Sequence, residues 1–302
     1  MIVDAARPVR SRRSDRHGST RDADASAFEA DASASASDRD RLAPMPAAGT
    51  ERRLRLVVAG TDAAAASVPA ARIYVADDGG PIRTVIGADH SHFVGEEASI
   101  KTGLSNPYEG AVEYLLIRES EVRYDVLAFR TQAMRMRVMV GNTMREWICD
   151  HLRQVRVGQA DVIEAIECKP DMSYLGDVGE RARMTAVRKV VESLGWRFRV
   201  IYEADVLGGG ERQINLGTIM AHKTKRVGDD HRAAFDLLAR ETTHSTFGRL
   251  RTALSDVRQE GTALAHAFIC EGRVRFDLDR RLHDGSPVEL LPRPSFTPRI
   301  WF

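Results

Sequence analysis

The chain has 302 residues, 43% of them hydrophobic and 29% charged, which is enough to bury a sizeable core and to divide into two domains. No stretch approaches the roughly 18 uninterrupted apolar residues of a spanning helix, and the first residues lack the apolar run of a secretory signal, so a cytoplasmic protein with no membrane partner is expected. Cys149, Cys168 and Cys270 have no paired spacing, which excludes a disulfide framework or a zinc knuckle. Lys plus Arg number 44 against 43 Asp plus Glu, so a uniformly basic nucleic-acid coat is excluded and any DNA contact must be local.

Residues 1–50 carry the Arg/Ser-rich run at 10–16 and the Ala-Ser repeats at 32–37, with few large apolar side chains to repay the entropy of ordering. They read as a disordered arm. Residues 51–96 form an extension with short strands at 54–58 and 71–75. The spacing predicts a helix over 107–119, opened by Ser105-Asn106-Pro107 and carrying Glu109 and Glu113 one turn apart. Alternation then predicts strands at 126–129, 134–140 and 146–152, with Gly141-Asn142 as the turn between the last two. A short run over 162–169, closed by Pro170, reads as a further strand. A basic amphipathic helix over 179–194 ends at Gly195, and 196–202 returns as a strand. After Gly208-Gly209-Gly210 come helices near 229–242, 245–255 and 261–271 and a strand at 273–278, the element order of a winged helix. The boundaries are thus 97–207 for a central domain and 208–302 for a small C-terminal helical domain.

The chemistry concentrates on the strand at 162–169. Side chains alternate along a strand, so Glu167 and Lys169 point the same way, about 7 Å apart along the backbone, while Ile166 and Cys168 face oppositely. Asp150, at the end of the preceding strand, is brought beside Glu167 if the two strands pair. Two carboxylates and a backbone carbonyl, that of Cys168, make a hard oxygen site suited to Mg²⁺ (or Mn²⁺), which takes few protein ligands and keeps its waters. Lys169 would then orient or deprotonate a water, or neutralise charge on a phosphorane-like transition state. Glu113 or Glu109 completes the shell. Glu164, and Glu109 where it does not face the metal, read as structural or exposed, Lys101 and Gln132 as auxiliary groups for the DNA backbone or a metal water or as plain loop polarity, and the cysteines as small core hydrophobes. Arg181, Arg183, Arg188 and Lys189 make the following helix basic enough to touch phosphate.

The order Glu, Asp, then Glu-x-Lys resembles the restriction-endonuclease-like nucleases. Ser99-Ile100-Lys101, Tyr108-Glu109-x-x-x-Glu113, Val126 with Gln132, Trp147-Ile148-Cys149-Asp150, Glu167-Cys168-Lys169-Pro170 and Leu194-Gly195-Trp196-Arg197-Phe198 together resemble the TnsA endonuclease subunit of heteromeric bacterial transposons, over about residues 97–205. Cys149 and Ala133 stand where that family commonly has proline, and Gly110 where it has serine. The resemblance implies an α/β, restriction-endonuclease-like core with a winged-helix-like C-terminal domain. It carries the catalytic set to Glu113, Asp150 and Lys169, with Glu167 where relatives have Glu or Gln. It implies Mg²⁺-dependent hydrolysis at the 5′ ends of a transposon, double-stranded DNA as substrate, a DDE-type transposase as partner, and an AAA-type ATPase regulator contacted through 208–302. The rival readings are a stand-alone restriction or repair nuclease of the same fold, and a catalytically silent DNA- or protein-binding adaptor.

Overall fold

The computed structural model describes residues 53–59, 68–83 and 93–300; the arm at 1–50 lies outside them. In chain order the elements are β1 (Leu54–Ala59), β2 (Ala71–Ala76), β3 (Val94–Ala98), β4 (Ser105–Glu109), α1 (Ala111–Val122), β5 (Val126–Thr131), β6 (Arg135–Val140), β7 (Thr143–Ile148), β8 (His151–Val157) and β9 (Ala160–Lys169). A short 3-10 turn (Met172–Leu175) then leads to α2 (Val178–Ser193), β10 (Arg197–Tyr202), α3 (Glu203–Leu207), α4 (Gly210–Met220) and α5 (Asp229–Glu241). The chain closes with β11 (His244–Thr246), α6 (Phe247–Leu254), α7 (Arg258–Cys270), β12 (Val274–Arg275) and β13 (Pro287–Leu290). The fold is mixed α/β, as expected. Among the described residues no helix is long and apolar enough to cross a membrane.

Two four-stranded sheets, ordered β1-β2-β6-β7 and β10-β9-β8-β5, grow out of one antiparallel ribbon. Thr131 pairs with His151 and Arg135 with Ile148, so three residues (132–134) face two (149–150) between them. The extra residue is a β-bulge, with Gln132 in the left-handed region at φ 49°. A bulge twists the ribbon and re-aims the side chains beside it. This is why the expected strand over 146–152 is divided between β7 and β8, and why Asp150 precedes β8 instead of ending a strand.

The second sheet is covered on both faces. Ile163 and Ala165 of β9 pack with Val187, Val190 and Val191 of α2, together with Ile73, Met136 and Trp147 of the first sheet. On the other face Ile166 and Ile201 meet Val112, Leu115 and Leu116 of α1. Burial of each such aliphatic side chain contributes about 1.5–3 kcal/mol. Helix α2 starts where the Asp177 side chain accepts from Glu180 N at 2.8 Å. It stops in a Schellman motif: Gly195 (φ 74°) and Trp196 donate back to Glu192 O and Val191 O. Helix α1 begins at residue 111, not 107, because Pro107 is paired with Glu96 in the β3–β4 ladder. Glu109 therefore ends a strand, and the expected helical turn between it and Glu113 does not form.

Helices α5, α6 and α7 share a core with a three-stranded sheet ordered β11-β13-β12; Phe235 and Phe268 stack there at 4.5 Å. The close crossing of α6 and α7 requires Gly261, whose Cβ would lie 2.2 Å from Arg251 O. The expected strand at 273–278 is reduced to Val274–Arg275, and α4, not anticipated, contributes Leu216 and Ile219 to this core. Val122 of α1 joins it, Arg212 of α4 bridges Glu119 at 2.8 Å and Asp279 at 2.7 Å, and Lys223 pairs with Glu97. After β13 the chain returns to the central sheet: Gln154 Nε2 donates to Thr297 O (3.0 Å), Arg299 N donates to Gln154 Oε1 (2.9 Å), and Ile300 is fully buried among the α2 contacts.

Candidate active site

At one end of the β10-β9-β8-β5 sheet, the C-terminal end of β9, the bulge before β8 and the first turn of α1 converge. On β9 the alternation holds: Glu167 Oε1 and Lys169 Nζ are 2.6 Å apart on one face, and Cys168 lies against the α1 core on the other. Trp147, near the end of β7 and 2% exposed, donates its indole N–H to Glu167 Oε2 at 2.5 Å. The bulge turns Asp150 so that its Oδ2 accepts from Cys168 N at 2.7 Å. Glu113, 7% exposed, accepts from Glu109 N at 3.0 Å through Oε2.

These carboxylates feel one another. Burial first, then the charges of Glu167 and Glu113, push the Asp150 carboxyl well above the usual range. Burial raises Glu113 to about 7; the backbone bond from Glu109 and the Arg83 guanidinium oppose the rise, while Glu109 and Glu167 add to it. For Lys169 burial works against the charge, but Glu167, and then Asp150, outweigh it and its pKa is raised. The ammonium is held charged. Cys149 and Cys168 are pushed well above the ordinary thiol value, by burial first, which holds them as protonated thiols.

Glu113, Asp150, Glu167 and Lys169 are thus brought together, and the Cys168 backbone with them. In a strand the N–H and C=O of one residue point to the same side. Since Cys168 N–H is bonded to Asp150, its carbonyl faces the same edge, just past the end of β8. Two of the auxiliary expectations are corrected. Lys101 is remote from this edge: its Nζ donates to Ser120 O (2.9 Å), Arg123 O (2.5 Å) and Val126 O (2.8 Å), closing the C-terminal end of α1, and burial lowers its pKa to about 8. Glu109 is engaged by Arg83 at 2.7 Å, which leaves Glu113 as the acidic group from α1. Gln132 is at the site: its N–H donates to Asp150 O at 3.1 Å, and neither polar atom of its fully buried side chain has a protein partner. The Thr131 hydroxyl and His151 Nδ1, in the adjacent cross-strand pair, are also without one.

Among the described residues no three His, Cys, Asp or Glu side chains are already gathered as a metal cage. The donor chemistry is nonetheless of the kind a hard divalent ion such as Mg²⁺ could use. Asp150 Oδ1 and Glu113 Oε1 are used in none of the described hydrogen bonds, both ligands are hard oxygens, and an acidic surplus with a single ammonium is the charge balance that a divalent ion completes.

Three contributors were not identified from sequence as site residues. Trp147 orients Glu167; an indole in the second strand of a hairpin carries no signal of which carboxylate it meets. Arg83 pairs with Glu109 from 26 positions away in the chain. Tyr174 lies with its ring 5.4 Å from Lys169 Nζ, in a segment that alternation does not describe. Comparison with known proteins finds no family model that matches the chain and no curated protein similar to it.

Proposed function

We propose that the chain is a Mg²⁺-dependent DNA endonuclease, a cytoplasmic subunit of a transposition system that hydrolyses the phosphodiester at the 5′ ends of the mobile element. The observation that carries this reading is the convergence of Glu113, Asp150, Glu167 and Lys169 at one sheet end, from three elements far apart in the chain. A four-stranded mixed sheet between α1 and α2 supports a restriction-endonuclease-like core, and the helix-strand order with β13 between β11 and β12 supports a winged helix.

Asp150, Glu113 and the Cys168 carbonyl would hold the ion, with Glu167 alongside. When bound, it would activate water and stabilise the leaving oxygen. Lys169, kept protonated by Glu167, faces the phosphate as a cation and offsets the charge that builds on its oxygens. Trp147 fixes the Glu167 rotamer, so the Glu167–Lys169 pair is preorganised. In the C-terminal module α7 is buried from Ala263 to Cys270, so only its first turn is open to a partner. That supports a protein-binding role for the module, with an AAA-type regulator as its partner and a DDE-type transposase supplying the 3′ cuts.

The test is nicking of supercoiled DNA by the full chain in Mg²⁺ or Mn²⁺. Asp150→Ala and Lys169→Ala should each lower the rate by about a thousandfold or more while leaving the thermal unfolding transition intact. Undiminished cutting by either folded variant defeats the reading. Cutting of plain DNA with no transposase present would favour the stand-alone nuclease.

A further inference from the structure

The segment that leaves the catalytic strand holds the two most exposed large apolar side chains among the described residues, Met172 (73%) and Val178 (71%), with Tyr174 (53%) between them. Nothing about this segment is loose in bonding. Asp171 accepts from Ser173 N at 2.7 Å, Gly176 N returns to Ser173 O at 2.8 Å, and Arg181 Nη1 donates to Gly176 O at 2.5 Å. The backbone is a built ridge with apolar heads turned to solvent, where burial would normally hide them.

Val178 begins an exposed stripe of α2 that continues, at helical spacing, through Arg181, Thr185, Arg188 and Lys189. The neighbouring acids are engaged locally: Asp177 caps Glu180 N, and Glu180 pairs with Arg183 at 2.7 Å. The ridge therefore passes from apolar beside Lys169 to basic along α2. Because the Tyr174 ring lies 5.4 Å from Lys169 Nζ, a duplex whose phosphodiester is brought to Lys169 comes within reach of Tyr174.

Resting on the nuclease reading above, we propose that Met172 and Tyr174, flanked by Val178, form a wedge that packs against and partly unstacks a base step of duplex DNA beside the scissile bond, while the α2 cations hold the adjoining phosphates. Apolar wedges of this kind pay for unstacking with a better fit of bent DNA. A duplex whose stacking is already broken should therefore bind more tightly, whatever its sequence.

The experiment compares binding of the full chain, with Ca²⁺ replacing Mg²⁺, to two duplexes of one sequence, fully paired or with a single central mismatch. Wild type should prefer the mismatched duplex by about tenfold. The Met172→Ala/Tyr174→Ala variant should lose that preference and keep its unfolding temperature, and Leu237→Ala, at an exposed apolar site on α5, should retain the preference. An equal loss of affinity for both duplexes, an unchanged ratio, a wild type that binds neither duplex, or a variant altered only in self-association overturns the wedge. Nicking in Mg²⁺ is scored separately: a mismatch preference that depends on Met172 and Tyr174 without any nicking upholds the wedge and defeats the nuclease reading.

Discussion

Glu164 and Glu167 stand three residues apart on β9, and both are almost wholly buried, at 5% and 3% exposure. Their surroundings are opposite. Glu164 meets Arg153 at 2.9 Å, with Arg199 at 3.7 Å and Arg197 at 3.9 Å beyond, so the carboxylate is surrounded by compensating charge. Glu167 has one ammonium and one indole, and shares its space with Asp150 and Glu113. The middle of the strand, at Glu164, is electrically closed and belongs to the architecture. The C-terminal end, at Glu167, is left short of positive charge, an arrangement a folded chain tolerates where a cation or a cationic transition-state partner is to be received.

The largest expected loss of stability lies at the closed site. Arg153→Met removes the buried hydrogen-bonded partner of Glu164 and leaves it only the longer pairs with Arg199 and Arg197, and should cost about 3 kcal/mol in urea unfolding, most of it recovered by adding Glu164→Leu. A single variant as stable as wild type would erase the contrast between the two sites. At the open end the signature is pH. Glu113 ionises near its ordinary value in the unfolded chain and at about 7 when folded, so its contribution is fully present below pH 4.5 and is lost as pH rises through about 7. The difference in stability between wild type and Glu113→Gln should change by on the order of 3 kcal/mol across that window. A difference that is flat with pH would show that the Glu113 carboxyl meets no net penalty for ionising at the open end, from burial or from its acidic neighbours. The smallest effect concerns the bulge. Gln132→Gly removes a left-handed non-glycine residue and a buried amide without partners, and should raise stability by about 1 kcal/mol where emptying a buried site usually lowers it by 2–5. A loss of that usual size, measured by the same unfolding assay, would mean that the Gln132 side chain supports the fold and carries no strain.

Much of the central sheet was legible because β9, β10 and α2 each follow a single period, and because Gly141-Asn142 between β6 and β7 and Gly195 after α2 mark element ends by backbone chemistry that few residues supply. The shared face of Glu167 and Lys169 follows from the same alternation. What was not legible depends on partners distant in sequence. A strand that reads continuously from 146 to 152 is interrupted by a mismatch of three residues against two, and neither segment alone contains that count. Arg153 in a strand reads as a solvated residue until Glu164 is placed opposite. Lys101 reads as a loop cation, yet it is consumed by the carbonyls that end α1. The placement of Glu109 on β4 turns on Pro107 finding a partner in β3, a ladder whose residues show no marked alternation.

The return of Ile300 to the α2 side of the sheet bears on how the protein is made. Strands β5 to β10 and helix α2 leave the ribosome roughly a hundred residues before Ile300 does, yet their shared core contains that side chain and the Gln154 amide waits for the backbone at 297 and 299. The central body is therefore unfinished through the whole of the synthesis of the C-terminal module. A nascent chain would complete the sheet that carries Glu167 and Lys169 only after the C-terminal module has emerged, so a translation product cut off between the two would be released without a sealed core.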